Sequence, residues 1–264
     1  PTVQTKRPPT SPANRPHGPP RPATPPPPPI TRTLIIIPAY NEQENIVRTI
    51  QDIEKNIPNA DYLVVNDCSN DSTREILQDY QANYVDIPVN LGIGGGVQTG
   101  YRYALEQGYD IAVQFDGDGQ HDARYIRDLI APIENAQADV VIGSRFLTKE
   151  GFQSSTIRRL GIRFLSNLIY MLCGVKVKDV TSGMRAVNHK MIEEFSRNYA
   201  QDYPEPEAIL ASGLMDARIA EVPVQMRERQ GGTSSINALR SVYYMIKVST
   251  ALVMTRLTTG GRSR

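Results

Sequence analysis

The sequence predicts an α/β fold from Thr33 onward, with a Rossmann-like, mostly parallel β-sheet flanked by helices. Short apolar runs of strand length alternate with segments whose apolar residues recur at helical spacing. Polar or glycine-rich stretches follow the first four runs, as expected for loops at the carboxyl ends of parallel strands. Roughly 230 residues follow position 32, which is enough for one domain of this class with a full core.

Each predicted element rests on a local signal. Pro38 is expected to stop the first strand, and Asn41 to cap the first helix, whose isoleucines recur at helical spacing. Pro223 places the last strand at an edge of the sheet. The strands are expected at 33–37, 62–65, 84–87, 110–115, 140–142, 183–187 and 219–225, and the helices through 46–53, 76–80, 97–105, 125–133, 158–173, 208–217 and 236–257.

The chain divides into three parts by composition. Residues 1–32 hold 13 of the 20 prolines and almost no large apolar side chains, so we expect a disordered, partly polyproline-II tail. Residues 33–235 form the predicted α/β domain. Residues 236–264 are expected to form an amphipathic, basic helix and a short tail.

Charge is distributed unevenly along the chain. The 29 basic and 28 acidic residues nearly cancel, but acidic residues dominate the predicted domain and basic residues dominate the segment after position 226. A basic end suggests contact with phosphate or with an anionic membrane surface. Basic and aromatic residues do not interleave as they do in nucleic-acid modules, so no nucleic-acid partner is expected.

The C-terminal helix, 236–257, is too charged and too short to span a bilayer. It fits a helix that lies at the membrane face or docks on a partner. Periodicity alone supports equally a helix packed against its own domain.

The clearest chemical signal is the pair Asp116 and Asp118, which follows an apolar strand and is separated by Gly117. Side chains two residues apart on an extended segment point to the same side, so both carboxylates can converge on one cation. Gln120 can add a neutral oxygen. Oxygen ligands of this kind suit Mg²⁺ or Mn²⁺, with the remaining positions filled by the phosphates of a bound molecule.

Two further loops suit a nucleotide sugar. Asp67, after the second strand, can accept a hydrogen bond from a base edge, such as the imide N–H of uracil. The stretch 90–96 is rich in glycine and precedes a helix, so its backbone N–H groups could approach a diphosphate. It does not have the spacing of the dinucleotide-binding fingerprint G-x-G-x-x-G, because Val97 stands at the sixth position when Gly92 is counted as the first.

These motifs together resemble glycosyltransferase family 2. The resemblance is carried by Pro38-Ala39-Tyr40-Asn41-Glu42, Val65-Asn66-Asp67, Asn90-Leu91-Gly92 and Asp116-Gly117-Asp118-Gly119-Gln120-His121. Downstream, Gly143-Ser144-Arg145, Thr181-Ser182-Gly183-Met184-Arg185 and Glu221-Val222-Pro223-Val224 are similar to the dolichyl- or polyprenyl-phosphate sugar synthase branch. The resemblance implies a GT-A fold, a nucleotide-sugar donor, Mg²⁺ or Mn²⁺, and inversion at the anomeric carbon.

The resemblance also assigns roles to individual residues. It implies donor binding by Pro38, Tyr40, Glu42, Asp67, Gly92 and Asp116, and metal binding by Asp116, Asp118 and Gln120. It implies an acceptor-phosphate clamp of Arg145, Arg159, Arg163 and Arg229, and catalytic roles for Asp118, Arg145 and Glu207. Two positions depart from the branch, because Arg163 and Ser235 stand where it has a serine and a lysine.

We therefore expect transfer of a hexose or N-acetylhexosamine from a nucleotide sugar, with UDP favoured, to polyprenyl phosphate for cell-envelope polysaccharide synthesis. The enzyme would act at the cytoplasmic face of the cell membrane, with a small membrane-protein partner. A first alternative is extension of a lipid-linked saccharide at a hydroxyl, which needs a base such as Glu207 or Glu205. A second is an inactive scaffold that recruits partners through the proline-rich tail.

Overall fold

A computed structural model describes residues 31–148, 156–227 and 238–259, and its architecture is one seven-stranded sheet with helices on both faces. The predicted tail of residues 1–32 lies outside this description except for its last two residues. The strands are β1 (Thr33–Ala39), β2 (Asp61–Asn66), β3 (Tyr84–Asp86), β4 (Ile111–Gln114), β5 (Val140–Ser144), β6 (Arg185–Asn188) and β7 (Ile219–Pro223). The helices are α1 (Ile46–Asn56), α2 (Thr73–Asp79), α3 (Gly92–Glu106), α4 (Ile126–Glu134), α5 (Thr156–Cys173), α6 (His189–Arg197), α7 (Pro204–Leu214) and α8 (Ala238–Thr259).

The sheet is mostly parallel, as the sequence predicts. Its strand order is β3-β2-β1-β4-β6-β5-β7, and only β6 runs antiparallel to its neighbours β4 and β5. Within the described ranges β7 pairs with β5 alone, which confirms the edge position that Pro223 predicts. Because β1, β2 and β4 are parallel neighbours, their carboxyl ends meet at one edge of the sheet.

Several boundaries differ from the sequence prediction. β1 continues through Pro38 to Ala39, because the strand is central and buried and its register with β2 extends to that residue. Asn41 does not cap α1; its backbone is left-handed (φ 57°), and the helix begins at Ile46. Helix α6 was not predicted from the sequence. α3 begins at Gly92, so most of the predicted glycine loop is helical.

The core has two layers, one on each face of the sheet. In β1, Leu34 and Ile36 face one layer and Ile35 and Ile37 face the other, and all four are buried. The first layer is covered by α3, α5, α6, α7 and α8, and the second by α1, α2 and α4. Burial on both faces explains why the strands are almost continuously apolar.

The C-terminal helix α8 packs against the domain through one face. Val248 and Leu252 are fully buried in the same layer as α5 and α7, whereas Ile246, Val253 and Leu257 are exposed. In the parts of the chain that the structure describes, no helix is long and apolar enough to cross a bilayer.

Candidate active site

A cleft of about 370 Å³ opens at the carboxyl ends of β1, β2 and β4, beside the start of α3. Such edges are where α/β sheets commonly bind ligands. The cleft is lined by Pro38, Ala39, Tyr40, Glu42, Asp67, Asn90, Gly92, Ile93, Gly96, Asp116, Gly117 and Asp118. All six residues predicted to bind the donor are among them.

The loops after β1 and β2 are tied together by hydrogen bonds. The left-handed Asn41 accepts a bond from the backbone N–H of Asn70 at 2.8 Å, and the Asn70 amide donates to the Tyr40 hydroxyl at 3.1 Å. The backbone N–H of Glu42 donates to the Thr73 hydroxyl at 2.9 Å. These contacts fix Tyr40 and Glu42 at one wall of the cleft.

Asp67 lies at the bottom of the cleft and is only 4% exposed. Its Oδ1 accepts the backbone N–H of Leu91 at 2.7 Å, and its backbone carbonyl accepts the Asn90 amide at 3.2 Å. Oδ2 makes no hydrogen bond to the described residues, so it can accept one from a ligand. The loop before α3 therefore orients Asp67 toward the cleft.

The glycine run after Leu91 serves helix packing more than loop flexibility. Gly92 has a left-handed backbone (φ +74°), but the following glycines lie within α3. A β-carbon at Gly94 would clash with the backbone of Ala200 and Gln201, so the absence of a side chain lets α3 approach that segment. The expected diphosphate loop is thus a helix start, with Gly92 and Ile93 in the cleft wall.

Asp116 and Asp118 line the opposite end of the cleft from Asp67 along the sheet edge, with β1 between their strands. The Asp116 side chain is 31% exposed, and its Oδ1 accepts the Gln114 amide at 3.4 Å. Asp118 Oδ1 accepts the backbone N–H of Gln120 at 3.0 Å. Desolvation in the cleft raises the pKa of Asp116, and the Gln114 hydrogen bond and the charge of Arg185 offset this in part.

His121 contacts Asp116 from the protein interior and is 2% exposed. Its Nδ1 accepts the backbone N–H of Asp116 at 3.1 Å, so the neutral ring carries its proton on Nε2, which lies 3.6 Å from Asp116 Oδ2. Burial lowers the pKa of His121 to about 4. The ring is therefore neutral near pH 7 and acts as a support, not as a charge.

The oxygen ligands that this turn offers fit a divalent cation. Two carboxylates that line the cleft are hard ligands, and desolvation raises the pKa of Asp116 more than the charges of Arg185 and Arg145 lower it. Among the residues that the structure describes, no cluster of three or more His, Cys, Asp or Glu side chains could enclose a metal. A cation at Asp116 and Asp118 would therefore take its other ligands from a bound molecule, water or the Gln120 amide.

Arg145, which follows β5, is held by a carboxylate that sequence analysis did not identify. The guanidinium forms a bidentate pair with Asp179, with Nε–Oδ2 and Nη2–Oδ1 distances of 2.7 Å, and Nη2 also donates to the Thr181 hydroxyl at 2.9 Å. The Asp179 side chain is fully buried. Glu221 accepts the backbone N–H groups of Lys178 and Asp179, which holds the loop in place.

The remaining predicted site residues lie at different places. Arg159 and Arg163 lie on α5, where Arg163 is exposed, and Arg229 is outside the described residues. Glu207 accepts a hydrogen bond from Thr255 of α8 at 3.3 Å and is not in the cleft wall. Glu205 does not line the cleft either, but it interacts electrostatically with Asp116 and Arg185, and burial raises its pKa.

Sequence reasoning missed the residues that support the site. Gln114 and Asp179 are fully buried polar side chains, and the signal for Gln114 was a lone amide in an apolar strand. Asn90 was seen as part of a loop, but its side chain is what ties that loop to Asp67. Arg185 is also fully buried, and its Nε and Nη1 have no hydrogen-bond partner among the described residues.

Comparisons with known proteins identify the family of the chain. Residues 34–196 match Glycosyl transferase family 2. The chain is 28% identical over 234 residues to a polyprenol monophosphomannose synthase of Mycolicibacterium smegmatis, covering 84% of this chain and 87% of the relative. It is 30% identical to an undecaprenyl-phosphate mannosyltransferase of Micrococcus luteus, covering 78% and 88%. It is 31% identical to a UDP-N-acetylglucosamine–dolichyl-phosphate N-acetylglucosaminyltransferase of Methanococcus voltae, covering 72% and 84%.

The fold is also found among solved structures. Glucosyl-3-phosphoglycerate synthase of Mycobacterium tuberculosis, crystallised with Mn²⁺, UDP and glucosyl-3-phosphoglycerate, superposes with a TM-score of 0.66 at 19% identity, covering 86% of this chain and 80% of that one. This likeness shows that the sheet and its helices have the GT-A arrangement. The chain is a glycosyltransferase that belongs to Glycosyl transferase family 2, in the branch of the polyprenyl-phosphate sugar synthases.

Proposed function

We propose that this enzyme transfers a hexose or N-acetylhexosamine from a nucleotide sugar to polyprenyl phosphate, with inversion at the anomeric carbon, for cell-envelope polysaccharide assembly. The observation that carries the proposal is that Asp67 and the pair Asp116 and Asp118 line one cleft. A base edge at Asp67 would place a diphosphate toward the two aspartates. UDP is the favoured nucleotide, because the Methanococcus voltae relative is named for a UDP-sugar and the Mycobacterium tuberculosis structure holds UDP.

At the donor end, we assign the base to Asp67 and the sugar diphosphate to the turn at Asp116 and Asp118. The described contacts support this assignment, because Asp67 keeps one oxygen available while the loop after β1 closes the side wall. The other proposed donor contacts are Pro38, Tyr40, Glu42 and Gly92. Mg²⁺ or Mn²⁺, when held by Asp116, Asp118 and Gln120, would neutralise charge on the departing nucleoside diphosphate.

The proposed reaction is a single displacement. An oxygen of the acceptor phosphate attacks the anomeric carbon as the bond from that carbon to the nucleoside diphosphate breaks on the opposite face. The phosphate is already an anion and needs no strong base, so the protein has only to place it in line. The bond between the acceptor phosphate and the anomeric carbon replaces the bond that breaks. The negative charge that the acceptor oxygen loses appears on the departing nucleoside diphosphate.

At the acceptor end, we propose that the lipid phosphate is held by arginines near the start of α5. Arg159 and Arg163 lie one turn apart on this helix, and Arg163 is exposed. Arg145 lies after the neighbouring β5 strand, but its charge is paired with Asp179. We therefore give Arg145 the smaller share of phosphate binding, through Nη1, whose contact in the described residues is with Met226 Sδ at 3.8 Å. Arg229 stays a prediction from the sequence.

A hydroxyl acceptor is the second candidate, and one observation favours it. Glu205 is half-buried near Asp116, and burial raises its pKa, as is typical of a general base. Glu207, the glutamate assigned from the family resemblance, faces Thr255 instead. If the acceptor is a sugar hydroxyl, Glu205 is the better placed carboxylate to remove its proton.

We further propose that α5 and α8 face an anionic membrane surface on the cytoplasmic side. Neither helix contains an acidic residue, although the chain has 28. The helices pack together where Gly161 meets Met245, and each exposes an apolar row on the face opposite its buried residues. The rows are Leu160, Phe164 and Met171 on α5, and Ile246, Val253 and Leu257 on α8. Exposed Arg163 and Arg256 would contact lipid head groups.

The activity is tested by incubating purified protein with polyprenyl phosphate, Mn²⁺ and a panel of nucleotide sugars. A sugar-phosphate lipid product from one donor, lost with EDTA, is the expected result. Product only with a lipid-linked saccharide would favour the hydroxyl acceptor. If the protein neither hydrolyses any nucleotide sugar in the presence of metal nor transfers a sugar from one, the enzymatic role of this cleft is contradicted. That result would favour the alternative of an inactive scaffold.

Membrane docking is tested separately by flotation with phosphatidylcholine vesicles, with and without phosphatidylglycerol. We expect binding only with the anionic lipid, and loss of binding in the variant F164S/L257S. The matched control is Val89→Ser, because Val89 is also exposed but lies after β3. Unchanged flotation of F164S/L257S would contradict the docking face. A parent protein that binds no vesicle would instead favour docking through a small membrane-protein partner.

A further inference from the structure

Gln114, the last residue of β4, is a buried amide in an otherwise apolar strand. Its side chain is fully buried, as are Ile111, Ala112 and Val113 before it. A primary amide in such a place costs free energy unless both its oxygen and its nitrogen find partners. The partners that Gln114 finds connect the core to the cleft.

The first partner is Tyr199 and the second is Asp116. The Tyr199 hydroxyl lies 3.2 Å from Gln114 Oε1, and Gln114 Nε2 lies 3.4 Å from Asp116 Oδ1. The orientation of the amide follows from chemistry, because a carboxylate can only accept and the hydroxyl can donate. If the amide were flipped, its oxygen would face the carboxylate of Asp116. Tyr199 therefore selects the orientation that supports Asp116.

Tyr199 is itself fixed by aromatic packing. Its ring lies 5.4 Å from that of Tyr101 on α3 and 5.1 Å from that of Phe195 on α6, both in edge contacts. A rigid ring holds its hydroxyl at a defined place with little loss of entropy. The hydrogen bonds from Tyr199 to Gln114 and from Gln114 to Asp116 thus connect a rigid aromatic cluster to the cleft.

Asp116 is consequently restrained on three sides. Gln114 holds Oδ1, His121 accepts the backbone N–H, and Gly183 lies against Oδ2 without a side chain. The restraint comes mainly from groups that do not line the cleft themselves.

We propose that Gln114 is a positioning residue that fixes the carboxylate of Asp116 for the cation, and that Tyr199 orients Gln114. The inference rests on the proposed function, since it assumes that a divalent cation binds at Asp116. Gln114 and Tyr199 act through Asp116 and need no contact with donor or acceptor. Groups that orient a metal ligand commonly change metal affinity by about tenfold to a hundredfold.

The test is Mn²⁺ affinity, measured by electron paramagnetic resonance with Mn²⁺ alone and again with UDP present. We expect Tyr199→Phe to weaken binding by roughly threefold to tenfold, and Gln114→Met by about tenfold or more. The double variant should bind no more weakly than Gln114→Met, because Tyr199 acts through Gln114. In transfer assays, the metal concentration for half-maximal rate should rise while kcat at saturating Mn²⁺ changes little.

Tyr101→Phe is the matched control. Tyr101 lies in the same aromatic cluster and is fully buried, but its hydroxyl has no hydrogen-bond partner among the described residues. We expect its Mn²⁺ affinity to equal that of the parent. Equal affinity of parent, Tyr199→Phe and Gln114→Met would overturn the proposal, as would equal weakening by Tyr199→Phe and Tyr101→Phe.

Failure of the proposed function gives a different result. A parent that binds Mn²⁺ with the expected variant order, but transfers no sugar from any donor, would contradict the activity and support the positioning role. A parent that binds no Mn²⁺ in either condition would overturn the positioning role together with the proposed metal use.

Discussion

Gly183 lies so close to Asp116 that a β-carbon at position 183 would stand 2.5 Å from Oδ2 of that carboxylate. The backbone of Gly183 is not in the left-handed region, so space and not conformation requires glycine here. The residues around it, from Thr181 to Arg185, connect the loop held by Arg145 to β6. The loop thus forms a close wall against one of the two aspartates.

The Gly183→Ala variant should therefore displace Asp116. We expect transfer to fall by at least about tenfold and the free energy of unfolding to fall by about 1–3 kcal/mol, as is usual for overpacking. Kinetics and urea denaturation measure both. The neighbouring Ser182→Ala variant is the control, because the buried Ser182 hydroxyl has no hydrogen-bond partner among the described residues. Parent-like transfer by Gly183→Ala would show that Asp116 can move without loss.

The Asp118→Asn variant should lose transfer while keeping its fold. Asparagine can still accept the backbone N–H of Gln120 at 3.0 Å, so the turn is retained, but the negative charge is removed. Loss of one carboxylate from a two-carboxylate site should reduce transfer by on the order of a hundredfold or more. The melting temperature should stay within a few degrees of the parent. Turnover close to that of the parent would contradict the metal role.

The location of Asp67, Asp116 and Asp118 in one cleft could be predicted because it follows from the topology of the sheet. Both loops come after parallel strands, and the alternation of strands and helices is a strong signal. β2 and β4 are separated only by β1, so their carboxyl ends are close. Motif order and strand direction were enough to bring these residues into one cleft.

Other parts of the site depend on packing that periodicity does not report. Asp179 reaches Arg145 across 34 positions of sequence, and β6 enters the sheet antiparallel, which the alternating pattern did not indicate. The glycines of α3 read as a loop because glycine disfavours helices. Close packing on residues 200–201 outweighs that preference. The roles of Glu205 and Glu207 likewise depend on which way α7 presents each side chain.

The Arg145→Ala variant should lose stability. Removal of the guanidinium would leave the fully buried Asp179 carboxylate without its bidentate partner. A buried charge left unpaired in this way costs about 3–5 kcal/mol. Chemical denaturation should show this loss, and the double variant R145M/D179L should recover part of it. Parent-like stability of Arg145→Ala would show that Asp179 finds another partner or water.

The Arg159→Ala variant should separate acceptor binding from donor binding. Arg159 is partly exposed on α5 and does not line the donor cleft. We expect the KM for polyprenyl phosphate to rise by roughly tenfold, the affinity for UDP to stay the same, and the melting temperature to change little. Arg102→Ala, on α3, is the control for removal of a surface arginine. Unchanged acceptor kinetics would remove Arg159 from the proposed clamp.

Removal of residues 1–30 should leave transfer unchanged, whereas removal of residues 1–32 should cost stability. Arg32 donates its backbone N–H to Asp110 at 2.9 Å, donates Nη1 to the carbonyl of Gln107 at 2.7 Å and stacks on Tyr109. Loss of these contacts should cost about 1 kcal/mol by urea denaturation. A large loss of activity on removing residues 1–30 would show that the proline-rich segment takes part in catalysis.

The contribution of His121 to the stability of the metal-free protein should fall as pH falls from about 6.5 to 4. Its pKa is about 4 in the folded state against 6.5 for a free histidine, so the unfolded chain binds more protons in that window. Stability from the neutral ring is therefore complete above pH 6.5 and is lost as pH falls, by at most about 3 kcal/mol. Protonation of Nδ1 would also break the bond from the Asp116 N–H. Urea denaturation in EDTA should show the loss in the parent and in the exposed-site control His189→Gln, and a smaller one in His121→Asn. If His121→Asn loses as much stability on acidification as the parent does, another group must be responsible.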